Sequence, residues 1–513
     1  SFLISGRRTY FDLFTRAINE TSEDSNIPDY FFYDLNGKVN FQLGENDRIF
    51  VSGYLGKDDF GFNSDFFNFN FNWGNQTATI RWNHIFGPNL FSNTTLTYSN
   101  YEYNISNRLT GFSFGVGSGI RDYNLKSDFF FNLNNAHQLR FGGALTSHQF
   151  KVGQLNGGSD DGLVSFNAGS SIIGNEYGIY LSDEWSPKKN ILFLGGLRLS
   201  GFWTMDSHRV FPEIRFSSKF DLSKVISFKA SYADMVQYMH LVRNSGVSLP
   251  TDIWYPSTKN IRPQASRQWA TGIQWLVTNG WLITGEVYYK TFQNLVEFVD
   301  GAQLFVNDNL EDEFAIGRGY SKGLELEIEK NSGKLTGWIG YTLAYARRGN
   351  FVPISSEKSF AQTGFFSPSF DRRHDLSVVL FYKISKKLNL SATWVYGSGD
   401  LVWMPTGRFA FQDIPGIPFL PVVPDYQNRN NFRLPPYHRL DLGMNIKFFP
   451  SWGESSLTLS VVNAYDRRNT FFIFLEPQLR EINNPPISFP EKIAARQVSL
   501  FPIIPAISWN FKF

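Results

Sequence analysis

Hydrophobic and polar residues alternate one for one along most of this chain of 513 residues. In His374–Gly399, Leu376, Val378, Leu380, Tyr382 and Ile384 share one face. After a hinge at Lys386 and Lys387, Leu388, Leu390, Ala392, Trp394 and Tyr396 do the same. Asp375, Ser377, Lys383, Asn389, Ser391 and Thr393 take the other face, which Val379 and Phe381 interrupt. A period of two marks a strand with one apolar and one wet side. The pattern recurs where Leu324, Leu326 and Ile328 alternate with Glu325, Glu327 and Glu329. It recurs again where Leu440, Leu442, Met444, Ile446 and Phe448 alternate with Arg439, Asp441, Asn445 and Lys447, and in the terminal Ile507, Trp509, Phe511 and Phe513. No segment longer than about a dozen residues keeps a helical period.

Two kinds of connection separate the runs. Short ones rich in Gly, Asn, Pro and Lys, such as 44–47, 87–89, 134–137, 186–190, 331–334 and 385–387, read as hairpin turns. Long irregular segments lie between them, at about 8–28, 152–172, 239–265, 300–313, 348–370, 401–434 and 466–496. A compact soluble domain seldom carries so many long loops. Counting runs gives about 20 strands, many of them long enough to cross a bilayer at a tilt, which takes roughly 9–11 residues. A propeller would show a repeated signature with a period near 40 residues, and no such repeat is present.

Nearly every strand is thus one-faced with nothing to cover its apolar side, and only a closed barrel satisfies all backbone groups in lipid. The fold expected is all-β: a transmembrane antiparallel β-barrel of the outer membrane. Its long loops would be extracellular, its short turns periplasmic, and its polar face would line a lumen.

Composition narrows the picture. The net charge of +2 gives no reason to expect a nucleic-acid partner. With no cysteine there is no disulfide, thiolate metal site or cysteine nucleophile. The mean hydropathy of −0.24 would suit a soluble protein, but a barrel hides its apolar residues by alternating them with lumen-facing polar ones. No apolar run reaches the length of a membrane-spanning helix. No signal peptide opens the chain, so the protein is cytoplasmic or this is an internal piece of a longer precursor.

Chemistry-bearing motifs are sparse. Asp371, Arg372, Arg373, His374 and Asp375 form the densest charge cluster, read as a rim structure with its charges paired rather than a metal or acid–base site. The run 115–119, GVGSG, lacks the phosphate-loop spacing and reads as a flexible loop, and 396–400, YGSGD, is not a nucleophile elbow. No catalytic, cofactor-binding or metal-binding residues are expected, and no enzyme. The long segment Leu401–Leu434 carries Trp403, Phe409, Phe411, Phe419 and Tyr426 among five prolines, a stiff aromatic surface suited to capturing a ligand. The segment Tyr238–Ser266, with His240, Trp254 and Tyr255, is a second candidate of the same kind. Glu325, Glu327, Glu329, Arg439, Asp441 and Lys447 are candidate lumen-facing groups that would touch a polar solute or simply hydrate the wall.

Several phrases carry a family resemblance: SFLISGRRTYFDLF, GNQTATIRWNHIFGPNLFSNTTLTYSNY, DRRHDLSVVLFYKI, WVYGSG, PPYHRLDLGMN, VVNAYDRRNTFF and the terminal ISWNFKF. As a set they resemble the barrel of TonB-dependent outer-membrane receptors, closest to the Bacteroidota type, over essentially the whole of 1–513. The resemblance implies a barrel of 22 strands around an N-terminal plug, energised by the TonB–ExbB–ExbD complex and sometimes served by a surface lipoprotein. It implies active uptake of a scarce nutrient such as a siderophore, haem, cobalamin, glycan or peptide. The first strand here resembles the family's third, so the signal peptide, TonB box, plug and first two strands would belong to an N-terminal part outside this chain. On that expectation the first and last strands face each other across a gap about two strands wide. The lumen charges would then face the plug. The alternative class is a passive porin-like channel, or an outer-membrane adhesin or secretion partner.

Overall fold

A computed structural model of the chain describes residues 1–10, 29–63, 67–109, 112–159, 165–242, 253–277, 280–303, 309–362, 364–410, 422–451, 453–483, 486–499 and 502–512, with 12, 13, 15, 161, 163 and 307 besides. Its wall is one antiparallel sheet of 21 strands, of which one is the two-residue Phe365–Phe366, leaving twenty long ones. These are β1 (Phe2–Arg8), β2 (Asp29–Gln42), β3 (Asp47–Asn63), β4 (Phe67–Gly87), β5 (Leu90–Leu109), β6 (Phe112–Asn132) and β7 (His137–Ser159). There follow β8 (Ser165–Lys188), β9 (Ile191–Trp203), β10 (His208–Asp221), β11 (Ile226–Gln237), β12 (Gln264–Val277), β13 (Trp281–Phe298) and β14 (Phe314–Lys330). The last six are β15 (Leu335–Pro353), β16 (His374–Lys383), β17 (Leu388–Gly397), β18 (Tyr437–Phe448), β19 (Glu454–Val462) and β20 (Ile504–Lys512). Each long strand pairs with the next in sequence, a simple meander. Among the described residues β1 pairs only with β2, and β20 only with β19.

Meander pairing sends every even-to-odd connection to one rim and every odd-to-even connection to the other. The even-to-odd turns are uniformly short, as between β2 and β3 or β16 and β17. The other rim differs from the sequence reading in an informative way. The segment 152–172 is largely strand, because β7 and β8 run on past the wall, and 348–370 begins as the end of β15. Two other long connections contain hairpins of their own: Gly407–Ala410 with Val422–Asp425, and Phe472–Asn483 with Pro486–Val498. Backbone groups that leave the wall still need partners, and continuing the ladder supplies them. The glycine run 115–119 is likewise inside β6, at a register shift opposite β7, and not a loop. A Cβ at Gly119 would lie 2.8 Å from the Tyr101 carbonyl oxygen, so glycine lets β5 approach there.

Curvature follows from the connection between β11 and β12. Its short strands Met239–Val242 and Ile253–Pro256 reach β13 on one side and β6 and β7 on the other. In a flat sheet β7 and β13 would be about 29 Å apart, at roughly 4.8 Å per strand. The sheet therefore curls. The connection lies on the face that carries Phe150, Phe202 and Arg209: Tyr238 stacks on Phe202 at 5.3 Å, and Arg209 Nη2 donates to the Lys259 carbonyl at 2.8 Å. That face is concave, and register carries the assignment around the wall.

The convex face is apolar along whole rows of paired residues, one running Val39, Val51, Ile80, Leu96, Leu125, Leu145 and Tyr177. Trp82, Trp185, Trp275, Trp281, Phe448 and Trp509 ring this face near the short turns. Tyr98, Tyr123, Tyr177, Tyr232, Trp269 and Tyr289 ring it on the other side. Eight residues separate Tyr177 from Trp185 on β8, about 26 Å of strand at 3.3 Å per residue. A tilted band of that height between aromatic girdles matches the roughly 25 Å apolar belt of an outer-membrane barrel.

Candidate functional site

The concave face is polar for the reason the convex face is not: its residues are the other half of the same alternation. Thr79, Thr97, Asn124, Thr146 and Glu176 make one row across β4–β8, with Asn124 Nδ2 donating to Thr146 Oγ1 at 2.7 Å. Beside it runs an ionic network that sequence reasoning missed. His148 Nδ1 meets Asp122 at 2.7 Å, and Arg198 lies 3.5 Å from Glu176 and 3.4 Å from Glu213. Glu213 also accepts from Ser200 Oγ at 2.6 Å and pairs with Arg215 at 3.3 Å. The six ionisable positions sit on five neighbouring strands, so only pairing brings them together.

The six expected lumen groups all fall on the concave face. Register runs from Glu286 to Glu325, from Thr284 to Glu327 and from Leu282 to Glu329, then on through Trp338 and Val379 to Thr393 and Asp441. Arg439 holds Asp441 through Nη2 at 2.8 Å and also donates to the Tyr437 hydroxyl, while Asp441 accepts the Asn463 amide. Lys447 is exposed. Glu325, Glu327 and Glu329 have no ion pair among the described residues, and the first two are exposed to the lumen. Val379 and Phe381, the interruptions in the wet face, pack with Trp338 as an apolar patch on that wall.

At the long-loop rim three connections make one body. Lys358 of the β15–β16 connection pairs with Glu313 of the β13–β14 connection at 2.7 Å. Arg429 of the β17–β18 connection reaches the Asp300 carboxylate at 2.6 Å and the Phe298 carbonyl at 2.9 Å. Glu297 lies 3.9 Å from Arg429 and also holds Arg348. Asp371 is buried between Arg373 at 3.2 Å and Arg433 at 3.0 Å. Arg372 pairs with Asp400, and His374 Nδ1 lies 2.9 Å from the Tyr341 hydroxyl. The dense cluster 371–375 is thus a paired rim structure. No group of three or more metal-binding side chains occurs among the described residues.

The capture candidates separate. Trp403 packs on Tyr426 at 5.2 Å, and the Arg429 guanidinium lies between Trp403 at 4.9 Å and Phe360 at 4.1 Å. Tyr426 is exposed and Trp403 half-buried. Phe409 is in the strand Gly407–Ala410, its side chain outside the description, and Phe411 and Phe419 lie outside the described residues. In the second segment His240 is fully buried, with Nε2 3.1 Å from Ser257 Oγ and Nδ1 3.1 Å from Gln264 Nε2. Burial lowers its pKa to about 4, so it stays neutral. Tyr255 is buried as well, its hydroxyl 3.3 Å from Glu311 and its pKa raised chiefly by burial. These two are core residues of the connection, with no surface to offer a ligand, and only Trp254 of the three keeps accessible surface.

A one-faced antiparallel wall with two aromatic girdles, a polar concave face and cross-linked loops over one rim defines an outer-membrane β-barrel with a lumen. Residues 9–464 match the family described as TonB dependent receptor-like, beta-barrel, and the chain belongs to that family, one of transport receptors rather than enzymes. Among solved structures it is similar to the closed form of the ferric-catecholate import receptor Fiu from K12 E. coli, at 13% identity and a TM-score of 0.61, covering 91% of this chain and 73% of that one. It is similar to BauA, the ferric preacinetobactin receptor from Acinetobacter baumannii, at 12% identity and a TM-score of 0.60, covering 95% and 73%. The ferric yersiniabactin uptake receptor FyuA from Yersinia pestis gives 11% identity and a TM-score of 0.64, covering 95% and 71%. The chain spans only 63% of a further similar structure, FpvAI in complex with pyocin S2. No curated protein sequence matches the chain.

Proposed function

We propose that 1–513 is the barrel domain of an active outer-membrane transporter of the Bacteroidota type, taking up a scarce nutrient with energy from TonB–ExbB–ExbD. An N-terminal plug would fill the lumen and carry the TonB box. The observation that carries this reading is the concave face, where Glu325, Glu327 and Glu329 stand without ionic partners among the described residues, while Arg198 and Arg439 elsewhere on that face hold carboxylates. Carboxylates covered by a plug would need hydrogen-bond donors there, and a polar plug would supply them. The one-sided pairing of β1 and β20 supports the same reading, because an open edge in lipid leaves backbone groups unsatisfied. Two further strands would make the wall 22-stranded.

On this reading the short turns face the periplasm and the cross-linked loops face outward. The capture surface is Trp403 and Tyr426 with Phe409, Phe411 and Trp254, and a surface lipoprotein is a candidate partner there. The receptors it resembles are named for importing ferric catecholate and ferric yersiniabactin; siderophore, cobalamin, glycan and peptide are all within the proposal. The test compares cells expressing the full-length gene with and without TonB, measuring uptake of candidate nutrients, together with small-sugar permeation in proteoliposomes. Uptake that needs TonB, through a barrel closed to sugars, is expected. Free sugar permeation without energy would make the protein a passive channel and overturn the proposal.

A further inference from the structure

The short-turn rim is charged unevenly. From β8 to β18 it carries Lys188 at the end of β8, then Lys189, Lys224, Lys334, Lys386 and Lys387 in the turns, whose own residues include no Asp or Glu, while Asp221 at the end of β10 is paired with Lys219. From β2 to β7 the corresponding positions carry no lysine and two acids, Glu45 in the turn and Asp47 at the start of β3, the latter held by His84. The six ammonium groups are exposed, and none of them makes an ion pair among the described residues. This contrasts with the opposite rim, where Arg372, Arg373, Arg429 and Arg433 all hold carboxylates.

The lysines lie along one run of this rim, interrupted at the β12–β13 turn, which carries none. Neighbouring turns are tied by backbone hydrogen bonds, Lys383 N–H to the Lys334 carbonyl at 2.8 Å and Lys447 N–H to the Lys387 carbonyl at 2.7 Å. Exposed apolar side chains stand among them: Leu222 at 68%, Val225, Ile384 and Phe449. Just inside lies the tryptophan girdle, with Trp185, Trp275 and Trp281 all exposed and Lys330 Nζ 5.0 Å over the Trp281 ring. Indole rings inside, ammonium groups outside and apolar tips between them match a membrane interface, where rings sit at headgroup depth and cations meet phosphate. An acidic soluble protein would not ask for exposed Leu222 and Ile384 beside the charges.

We infer that this run binds the headgroups of anionic phospholipids, so that one side of the barrel gathers an anionic lipid annulus while the β2–β7 side does not. The inference rests on the wall being membrane-spanning, and the test separates the two. The receptor is reconstituted in vesicles containing brominated phosphatidylglycerol or brominated phosphatidylcholine, and tryptophan quenching gives relative lipid binding. Wild-type protein should prefer the anionic lipid by about fivefold or more, the effect expected of even one lysine near an anionic surface. Replacing the six turn lysines by glutamine should bring the ratio close to one, while Glu45→Gln leaves it unchanged. Added sodium phosphate should weaken the preference no more than sodium chloride of equal ionic strength. A ratio near one in wild type, a ratio unmoved in the glutamine variant, or selective loss with phosphate would each overturn the lipid assignment. Absence of quenching by either lipid would overturn the membrane wall itself.

Discussion

Leu181 and Ser182 are neighbours on β8 at the same depth and on opposite faces, which makes them a direct test of the wall. Leu181 is 55% exposed on the convex face and pairs with Leu197 and Phe141. It stands four residues from Tyr177 and four from Trp185, so it is central in the apolar band, about 13 Å of strand from either girdle. An arginine there would have to hold its charge near mid-bilayer, at a cost of roughly 2–4 kcal/mol. Ser182 faces the lumen opposite Gly196 and Arg140, with Glu184 two residues on. Ser182→Arg forfeits a weak 3.4 Å hydrogen bond to the Arg140 carbonyl and adds a charge to hydrated, mixed-sign surroundings. Its cost should stay below about 1 kcal/mol. The assay is reversible guanidinium unfolding of protein folded into phosphatidylcholine vesicles, followed by tryptophan emission, with midpoint and slope both fitted. Leu181→Arg should lower stability by about 3 kcal/mol and lose less in thinner bilayers. Equal costs, or the larger cost at Ser182, would refute the facing, since a slip of one residue exchanges every side chain.

Three further outcomes are expected. Arg429→Ala leaves the Glu297 and Asp300 carboxylates without their shared cation, and should open the cross-linked loops at a cost of about 3–5 kcal/mol; amide exchange over 357–366 and 422–434 should rise while the wall strands stay protected. His240 has a folded-state pKa lowered from 6.5 to about 4, so its unfolded form takes up a proton first as pH falls. Stability of the β11–β12 connection should be full above pH 6.5 and decline by on the order of 3 kcal/mol towards pH 4; exchange over 253–263, corrected for intrinsic rates, reads this, and His240→Gln should flatten it. Gly337→Ala should destabilise the β15–β16 pair by about 1–3 kcal/mol in the same guanidinium titration, because φ is +144° and a Cβ would sit 2.0 Å from the Val379 carbonyl oxygen.

Strand identity and facing were legible in the sequence because both are local. Alternation at 324–329 and 439–448 places Glu325, Glu327, Glu329, Arg439, Asp441 and Lys447 on one side of the wall without reference to any neighbour. The count of about 20 strands followed from the same alternation and from turn chemistry at places such as 331–334. Where a polar side chain or a glycine meant something non-local, the reading failed. The run 115–119 looked like a loop because glycine weakens strand propensity; its cause is the close approach of Tyr101 on β5, which no local pattern reveals. The segment 152–172 looked irregular because β7 and β8 leave the membrane there, and their alternation of apolar and polar residues ends with it.

The sequence by itself determined that this protein is a wall of one-faced strands, and which residue of each alternating pair meets lipid, because a strand's two faces are fixed by a period of two. Only the tertiary structure decided what the loops do. His240 and Trp403 look alike as polar-aromatic loop residues, yet one is sealed beneath Ser257 and Gln264 while the other stacks on Arg429 at the mouth. The network of Asp122, His148, Glu176, Arg198 and Glu213 has the same origin, its members spread across 92 residues of sequence and joined on five adjacent strands. Curvature and register put those groups within hydrogen-bonding reach, and neither is encoded at any one position.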